Sequence, residues 1–263
     1  MSTAPNASTL TALDAKSIEL RPLASQEERE ACVALQRDTW GDDFTDVIPP
    51  AVLKVAQRIG GVALGAFDGA GDLVGFVFGL TGVERGMIVH WSDMLAVAPR
   101  ARNIGLGRRL KEEQRRMVRD IGGSVIYWTY DPLVARNAHL NFNRLGAGVA
   151  EYAENMYGIT DSPLHGGVPT DRIVVAWSTD DGEVSRRLAE SERALDSEDS
   201  RDAPIVSADW IKSAEGATIL PHSVRVEIPL NGEALLLGKS PKALEWRETV
   251  RNGMNWAFAN GYM

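Results

Sequence analysis

The chain of 263 residues is longer than an average domain and long enough for one core with an extension. With 44% of its residues apolar and 24% charged it has globular composition, which excludes wholesale disorder, collagen-like repeats and coiled coil. Lys+Arg 28 against Asp+Glu 36 gives a net charge of -8 and a pI near 5.1, the wrong sign for a protein that lives on phosphate backbones, so no nucleic acid is expected as a partner. Cys32 stands alone, so there is no internal disulfide framework, and the histidines (His90, His139, His165, His222) are scattered, so no metal site is expected. Residues 1–16 have neither a basic start nor an apolar stretch, and no later run is long and uncharged enough to span a bilayer. The expectation is a soluble cytoplasmic protein with a mobile N-terminal tail over 1–16 and no membrane partner.

In chain order, Ser17 to Leu23 alternates as a strand, and Ser25 with Glu28 forms a capping-box pattern before a helix carrying Cys32, Leu35 and Trp40. A short helix over Pro50 to Arg58 precedes GVALGAF and LVGFVFGL, two apolar runs joined by DGAGD and read as a hairpin. A strand from Met87 to Val97 leads into PRARNIGLG and then an amphipathic helix with Leu106, Leu110, Met117 and Ile121 on its apolar side. Ser124 to Tyr130 is a further strand, Val134 to Leu145 a helix stopped by Gly146, AGVAEYAENMYG a strand and loop, and Asp171 to Ser178 a closing strand. The crossovers on either side of the glycine loop are placed as parallel neighbours require, which predicts a mixed α/β domain over 17–178. Residues 179–204 form a charged connector. An extension over 205–263, with a strand at Val224 to Ile228 and a terminal helix, is too poor in apolar residues to fold alone and is expected to pack on the main domain or a partner.

The segment VAPRARNIGLGRRL carries the chemistry. A strand ending at Val97, a tight loop with Gly105 and Gly107 and a helix start bring unpaired N–H groups and the positive helix end into one volume, which suits an anion. Between Arg100 and Arg119 there are eight Lys/Arg against Glu112 and Glu113, a local excess that points to a polyanionic ligand. Two plainer readings compete. Gly-x-Gly occurs in many loops, and basic residues on a surface helix are usually a solvated face. A dinucleotide loop is disfavoured because Leu110 stands where its third glycine belongs, and a Walker-type loop is absent.

Val97, Pro99, Arg102-x-x-Gly105-x-Gly107 and Leu110, arriving after four strands and opening a helix, resemble the acyl-CoA signature of the GNAT N-acyltransferase superfamily. The resemblance covers roughly residues 17–178 and includes ARNAHLNFNRLGA, similar to the family's second cofactor helix; SDMLAV, WTYDPL, NMYG and PTDR look like a less-characterised subgroup. It implies a mostly antiparallel sheet with flanking helices and two central strands that splay, between which pantetheine bonds the backbone near Leu95 and Val97. It also implies pyrophosphate on the amides of Arg102, Asn103, Ile104, Gly105, Leu106 and Gly107. Phe142 departs from the family, standing where many members have a tyrosine that protonates the leaving thiolate; Tyr152 or Tyr157 are substitutes of low promise.

An acceptor ammonium must lose a proton before it attacks a thioester, so a base is wanted. Asp93, with the strand parity of Leu95 and Val97, is the first candidate, weighed evenly against a structural ion pair. Asp131, at the end of the next strand, is the second, with a turn or helix-capping role as its plainer reading. Asn137 and Asn141, one turn apart, are candidates for pantetheine or substrate. Arg136 and Arg172 could grip a carboxylate but are by default surface ion pairs. His90, three residues before Asp93, is expected to face the opposite side in a structural role, and Cys32 to pack in the core. The expected function is transfer of an acetyl or larger group, such as succinyl, from acyl-CoA to a small amine, an amino acid among the candidates, without metal. The alternative is a non-catalytic acyl-CoA-binding or regulatory module; homo-oligomerisation is left open.

Overall fold

The computed structural model describes residues 17–42, 44–159, 167–196, 198–238 and 240–262, so the expected tail over 1–16 lies outside the described residues. Contacts divide the chain into two compact units, one ending at Gly123 and the other beginning at Ser124. Each combines antiparallel strands with flanking helices, and the fold is mixed α/β.

In the first unit β1 (Glu19–Pro22), β2 (Val62–Phe67), β3 (Leu73–Glu84) and β4 (Met87–Val97) are neighbours in sequence order, each antiparallel to the next. Helix α1 (Gln26–Trp40) begins with the expected capping box: Glu28 N–H donates to Ser25 Oγ at 3.2 Å, and the Glu28 carboxylate accepts from the Ser25 N–H at 3.3 Å. Arg21 lies 2.8 Å from that carboxylate and, as its hydrogen-bond donor, holds the Glu28 pKa down to about 2. Helix α2 (Pro50–Arg58) has only 9 residues, too few to persist alone, and is fixed by burial of Leu53 and Ala56. These two helices meet Phe76, Phe78, Met94 and Ala96 in one apolar cluster. The β3–β4 turn, Arg85–Gly86, has φ of 51° and 80°, the two positive angles that a tight hairpin with right-handed strand twist requires.

Because side chains alternate along a strand, Gly75 faces away from that cluster, and there α3 (Leu106–Asp120) packs. A Cβ at Gly75 would stand 3.3 Å from Leu110 and 3.4 Å from Leu106, so the missing side chain brings the first turn of α3 close to the sheet. The buried face of α3 is Leu106, Leu110, Lys111, Gln114 and Val118, with Ile121 left 42% exposed at the C-cap. The apolar side expected from the sequence thus rotates: Val118 goes in and Ile121 stays out.

In the second unit β7 (Arg172–Ser178) lies between β5 (Val125–Tyr130) and β6 (Gly148–Ala153), antiparallel to both. The expected Val134 to Leu145 helix is a short α4 (Ala135–Ala138) that runs on as a π-helical turn, His139–Arg144. Trp128 and Trp177 meet edge to face at 5.9 Å, their indoles donating to Asn141 Oδ1 and the Leu145 carbonyl.

Beyond β7 come α5 (Asp181–Asp196), α6 (Glu198–Asp202), α7 (Ala208–Ala214), α8 (Gly232–Leu237) and α9 (Pro241–Ala259). The strand expected at Val224 to Ile228 does not form; one isolated parallel bridge joins Arg225 to Ile205. Val226 and Ile228 pack instead with Leu133, Leu236, Ala243 and Val250, so their alternation serves helix contact rather than a ladder. The extension shares this core with the segment after β5, and among the described residues no helix is long and apolar enough to cross a membrane.

Candidate functional site

The first unit holds Asp93, Leu95, Val97 and the 102–107 loop. After β4 a single 3-10 turn, Pro99–Ala101, redirects the chain, and Arg102 Nε donates back to the Val97 carbonyl at 3.1 Å. Asn103 and Gly105 then take φ of 64° and 78°, left-handed angles that turn successive amides toward one side. Gly105 is the N-cap of α3 and offers no side chain to the first amides of the helix, which leaves them and the positive helix end for an anion. A Cβ built on Gly105 meets nothing within 4 Å, and one on Gly107 stands 3.7 Å from Leu95 Cδ2. The loop is thus open beside Gly105 and backed by Leu95 beneath Gly107.

The basic excess is more occupied than the sequence suggests. Arg100 pairs with Asp68 at 2.5 Å, Arg108 with Glu112 at 2.7 Å, and Arg116 with both Glu113 and Asp120. Arg109 donates to the Ile18 carbonyl at 3.0 Å, and Lys111 is buried. The anion argument therefore rests on the backbone of the loop, and the charge count along the helix adds less to it.

Asp93 sits at an irregularity. Phe78 pairs with Met94 and Gly79 with Ser92, so Asp93 is the extra residue of a β-bulge. Strand parity breaks there: Met94 and Ala96 join the α1/α2 cluster, whereas His90 bonds to Gln114 of α3. The parity expected to align Asp93 with Leu95 and Val97, and to set His90 on the opposite side, is interrupted by the bulge. Asp93 is exposed, yet protein crowding around it and the nearby Asp46 carboxylate raise its pKa above the ordinary aspartate value. A carboxylate so placed is a stronger base than a free one and is open to a solute.

The second unit holds the other candidates. Asp131 accepts from the Leu133 N–H at 2.9 Å, from Arg172 at 3.2 Å and from both terminal nitrogens of Arg247 at 3.0 and 2.5 Å. Its oxygens are committed to an ion cluster at the end of β5, which corrects its reading as a second general base. Asn141 is buried, and its Oδ1 accepts from the Trp128 indole at 3.2 Å, which ties the π-helical turn to β5. Asn137 is half-buried in α4. Phe142 lies 6.1 Å from the Tyr130 ring, edge to face; burial, with the Asp131 charge second, pushes the Tyr130 phenol far up. Arg136 forms an exposed pair with Glu233 at 2.6 Å. Tyr152 donates to Asp171 at 2.6 Å, and Tyr157 meets the Thr129 hydroxyl at 3.2 Å.

The sequence reading missed Asp46, whose proximity to Asp93 is purely tertiary, and the pair Arg247 and Arg251. That pair did leave a signal, two arginines one helical turn apart in the terminal helix, though Lys242, Glu245 and Glu248 on the same helix dilute it. Among the described residues no group of three or more His, Cys, Asp or Glu could hold a metal ion.

No family model matches the chain, and no curated protein matches it. Solved structures do. An N-acetyltransferase from Staphylococcus aureus is 16% identical, with a TM-score of 0.48 over 62% of this chain and 99% of its own. The ribosomal-protein-S18-alanine N-acetyltransferase from Escherichia coli is 18% identical, with a TM-score of 0.46 over 62% of this chain and 94% of its own. A GNAT-family acetyltransferase from Streptococcus pneumoniae is 19% identical, with a TM-score of 0.49 over 61% of this chain and 99% of its own.

Proposed function

We propose that this protein is an acyl-CoA-dependent N-acyltransferase of the GNAT type that moves an acetyl or larger acyl group to a small amine. The observation that carries the reading is the loop between β4 and α3, where left-handed Asn103 and Gly105 and an uncapped helix start gather amide donors around open space. A pyrophosphate suits that cradle because its oxygens need close N–H donors, which a side chain at Gly105 would hold at a distance. When bound, acyl-CoA supplies an acyl group activated as a thioester.

On this reading residues 102–107 bind and orient the nucleotide end through their amides. Asp93 removes a proton from the acceptor ammonium, directly or through one water, so that the nitrogen lone pair can attack. Its raised pKa brings it nearer the acceptor's own and eases that transfer. The arginines expected to grip a substrate carboxylate are engaged internally, Arg172 with Asp131 and Arg136 with Glu233, so they lend an amino-acid acceptor or a succinyl donor no support.

Calorimetry with CoA tests the cradle. Wild-type protein should bind, and Gly105→Val should lose binding while its circular dichroism stays native. Undiminished affinity in that variant removes the reading. Binding without thiol release, against a panel of acyl-CoAs and amines, would favour the non-catalytic acyl-CoA module, for which Phe142 in place of a phenol already speaks.

A further inference from the structure

A one-way chain of hydrogen bonds crosses the interior of the first unit. The Thr81 hydroxyl donates its single hydrogen to the Gly60 carbonyl at 2.6 Å, so its contact with His90 Nδ1 at 2.9 Å must be accepted by the hydroxyl and donated by the ring. His90 is therefore protonated on Nδ1, and its Nε2 accepts from the Gln114 amide nitrogen at 3.0 Å. The amide orientation is fixed in turn, because Gln114 Oε1 accepts from Lys111 Nζ at 3.2 Å. His90 and Gln114 are fully buried, and a ring held at both nitrogens has one orientation.

That ring lies at the step in the β3–β4 register. Thr81 is the strand partner of His90, and two residues earlier in β3 Gly79 faces Ser92 across the break. A Cβ at Gly79 would come within 2.3 Å of His90 Nε2 and 2.5 Å of the Trp91 carbonyl, so the imidazole rests directly on the Gly79 backbone. Asp93, the inserted residue, follows three positions later. We propose that His90 is a positioning residue: pinned between Thr81 and Gln114, it holds the β4 register at the bulge and so aims the Asp93 carboxylate. The catalytic meaning of that aim rests on the acyltransferase reading, but the coupling itself does not.

Nuclear magnetic resonance on the labelled full chain tests it. Long-range proton–nitrogen spectra of the wild type at neutral pH should show His90 protonated on Nδ1; an Nε2–H tautomer overturns the proposal. The side-chain carboxyl carbon of Asp93 should titrate above the ordinary aspartate value in the wild type. In Thr81→Val the midpoint should move by about half a pH unit or more, and Thr81→Ser, which keeps the hydroxyl, should restore it. CoA affinity by calorimetry should stay within about twofold in both variants. An unmoved Asp93 midpoint in Thr81→Val, or a loss of CoA affinity and of cooperative melting in step with the shift, shows the chain to be mere scaffolding and overturns the proposal. Wild-type protein that fails to bind CoA rejects the acyltransferase reading alone, since the tautomer and the Asp93 titration are read without ligand.

Discussion

Asp93 and His90, three residues apart on one strand, are pushed in opposite directions along the pH axis. Crowding and Asp46 raise the Asp93 pKa, and an attacking amine needs the ionised form, so activity should rise with pH through that raised value. Asp93→Asn should lower kcat by ~10² to 10⁴ with acyl-CoA affinity little changed, and the ascending limb of kcat/KM should move toward the acceptor's own pKa. Near-normal turnover with an unmoved limb would show Asp93 not to be the base. Burial, with the Lys111 charge second, lowers the His90 pKa from 6.5 to about 4. Its neutral form belongs to the folded state, so in that window the unfolded chain binds more protons. The contribution is fully present above pH about 6.5 and is lost as the pH falls toward about 4, on the order of 3 kcal/mol. Lys111, also pushed down by burial, acts in the same sense at higher pH, and the raised Asp93 acts against it. Denaturant unfolding at pH 7 and pH 4.5 should show a smaller loss of stability on acidification in His90→Asn than in the wild type. Equal losses would show that His90 does not titrate in that window.

Helix α9 shows how a partnered charge can do the work of apolar area. Arg247, 1% exposed, grips Asp131 where β5 ends, and Arg251, one turn on, grips Asp171 beside the start of β7. Asp171 also accepts from Tyr152 and from the Asn155 N–H, and these donors, with Arg251 foremost, keep its pKa low in spite of burial. Without Arg247 the Asp131 carboxylate keeps Arg172 and the Leu133 N–H but loses its two-pronged partner, so Arg247→Met should cost about 1–3 kcal/mol in urea unfolding. Arg247→Lys should recover only part of it, because an ammonium cannot hold both carboxylate oxygens in a fork. A change below 1 kcal/mol in the Met variant would show that the pair contributes nothing net. The start of α3 contrasts with this: its cap offers neither side chain nor charge.

At the scale of the whole molecule the extension is part of a core. Truncation after Ser178 removes Leu236, Ala243, Val250 and both arginines, uncovering Leu133 and leaving Asp131 and Asp171 without α9. The truncated chain should aggregate; one that stays soluble with an unchanged melting temperature would show the extension to be an appendage. Features that depend on neighbours within a turn or a strand were legible before folding was considered. The Ser25 to Glu28 cap, the Pro50 to Arg58 helix, the Met87 to Val97 strand and the glycine loop at 102–107 all follow from local spacing, and each is found in place. The sequence could not show that Val226 and Ile228 would pack on a helix, since alternation states that one side is apolar and not what covers it. Nor could it show that Asp131 is bound by an arginine 116 positions away, or that β4 carries an extra residue at Asp93, because ion partners and register are settled between distant segments. The backbone shape of the 102–107 loop was legible because glycine and a helix start act through their own backbone. The surroundings of the candidate base were decided by tertiary structure alone, since a carboxylate's proton affinity is set by whatever the fold brings within a few ångströms.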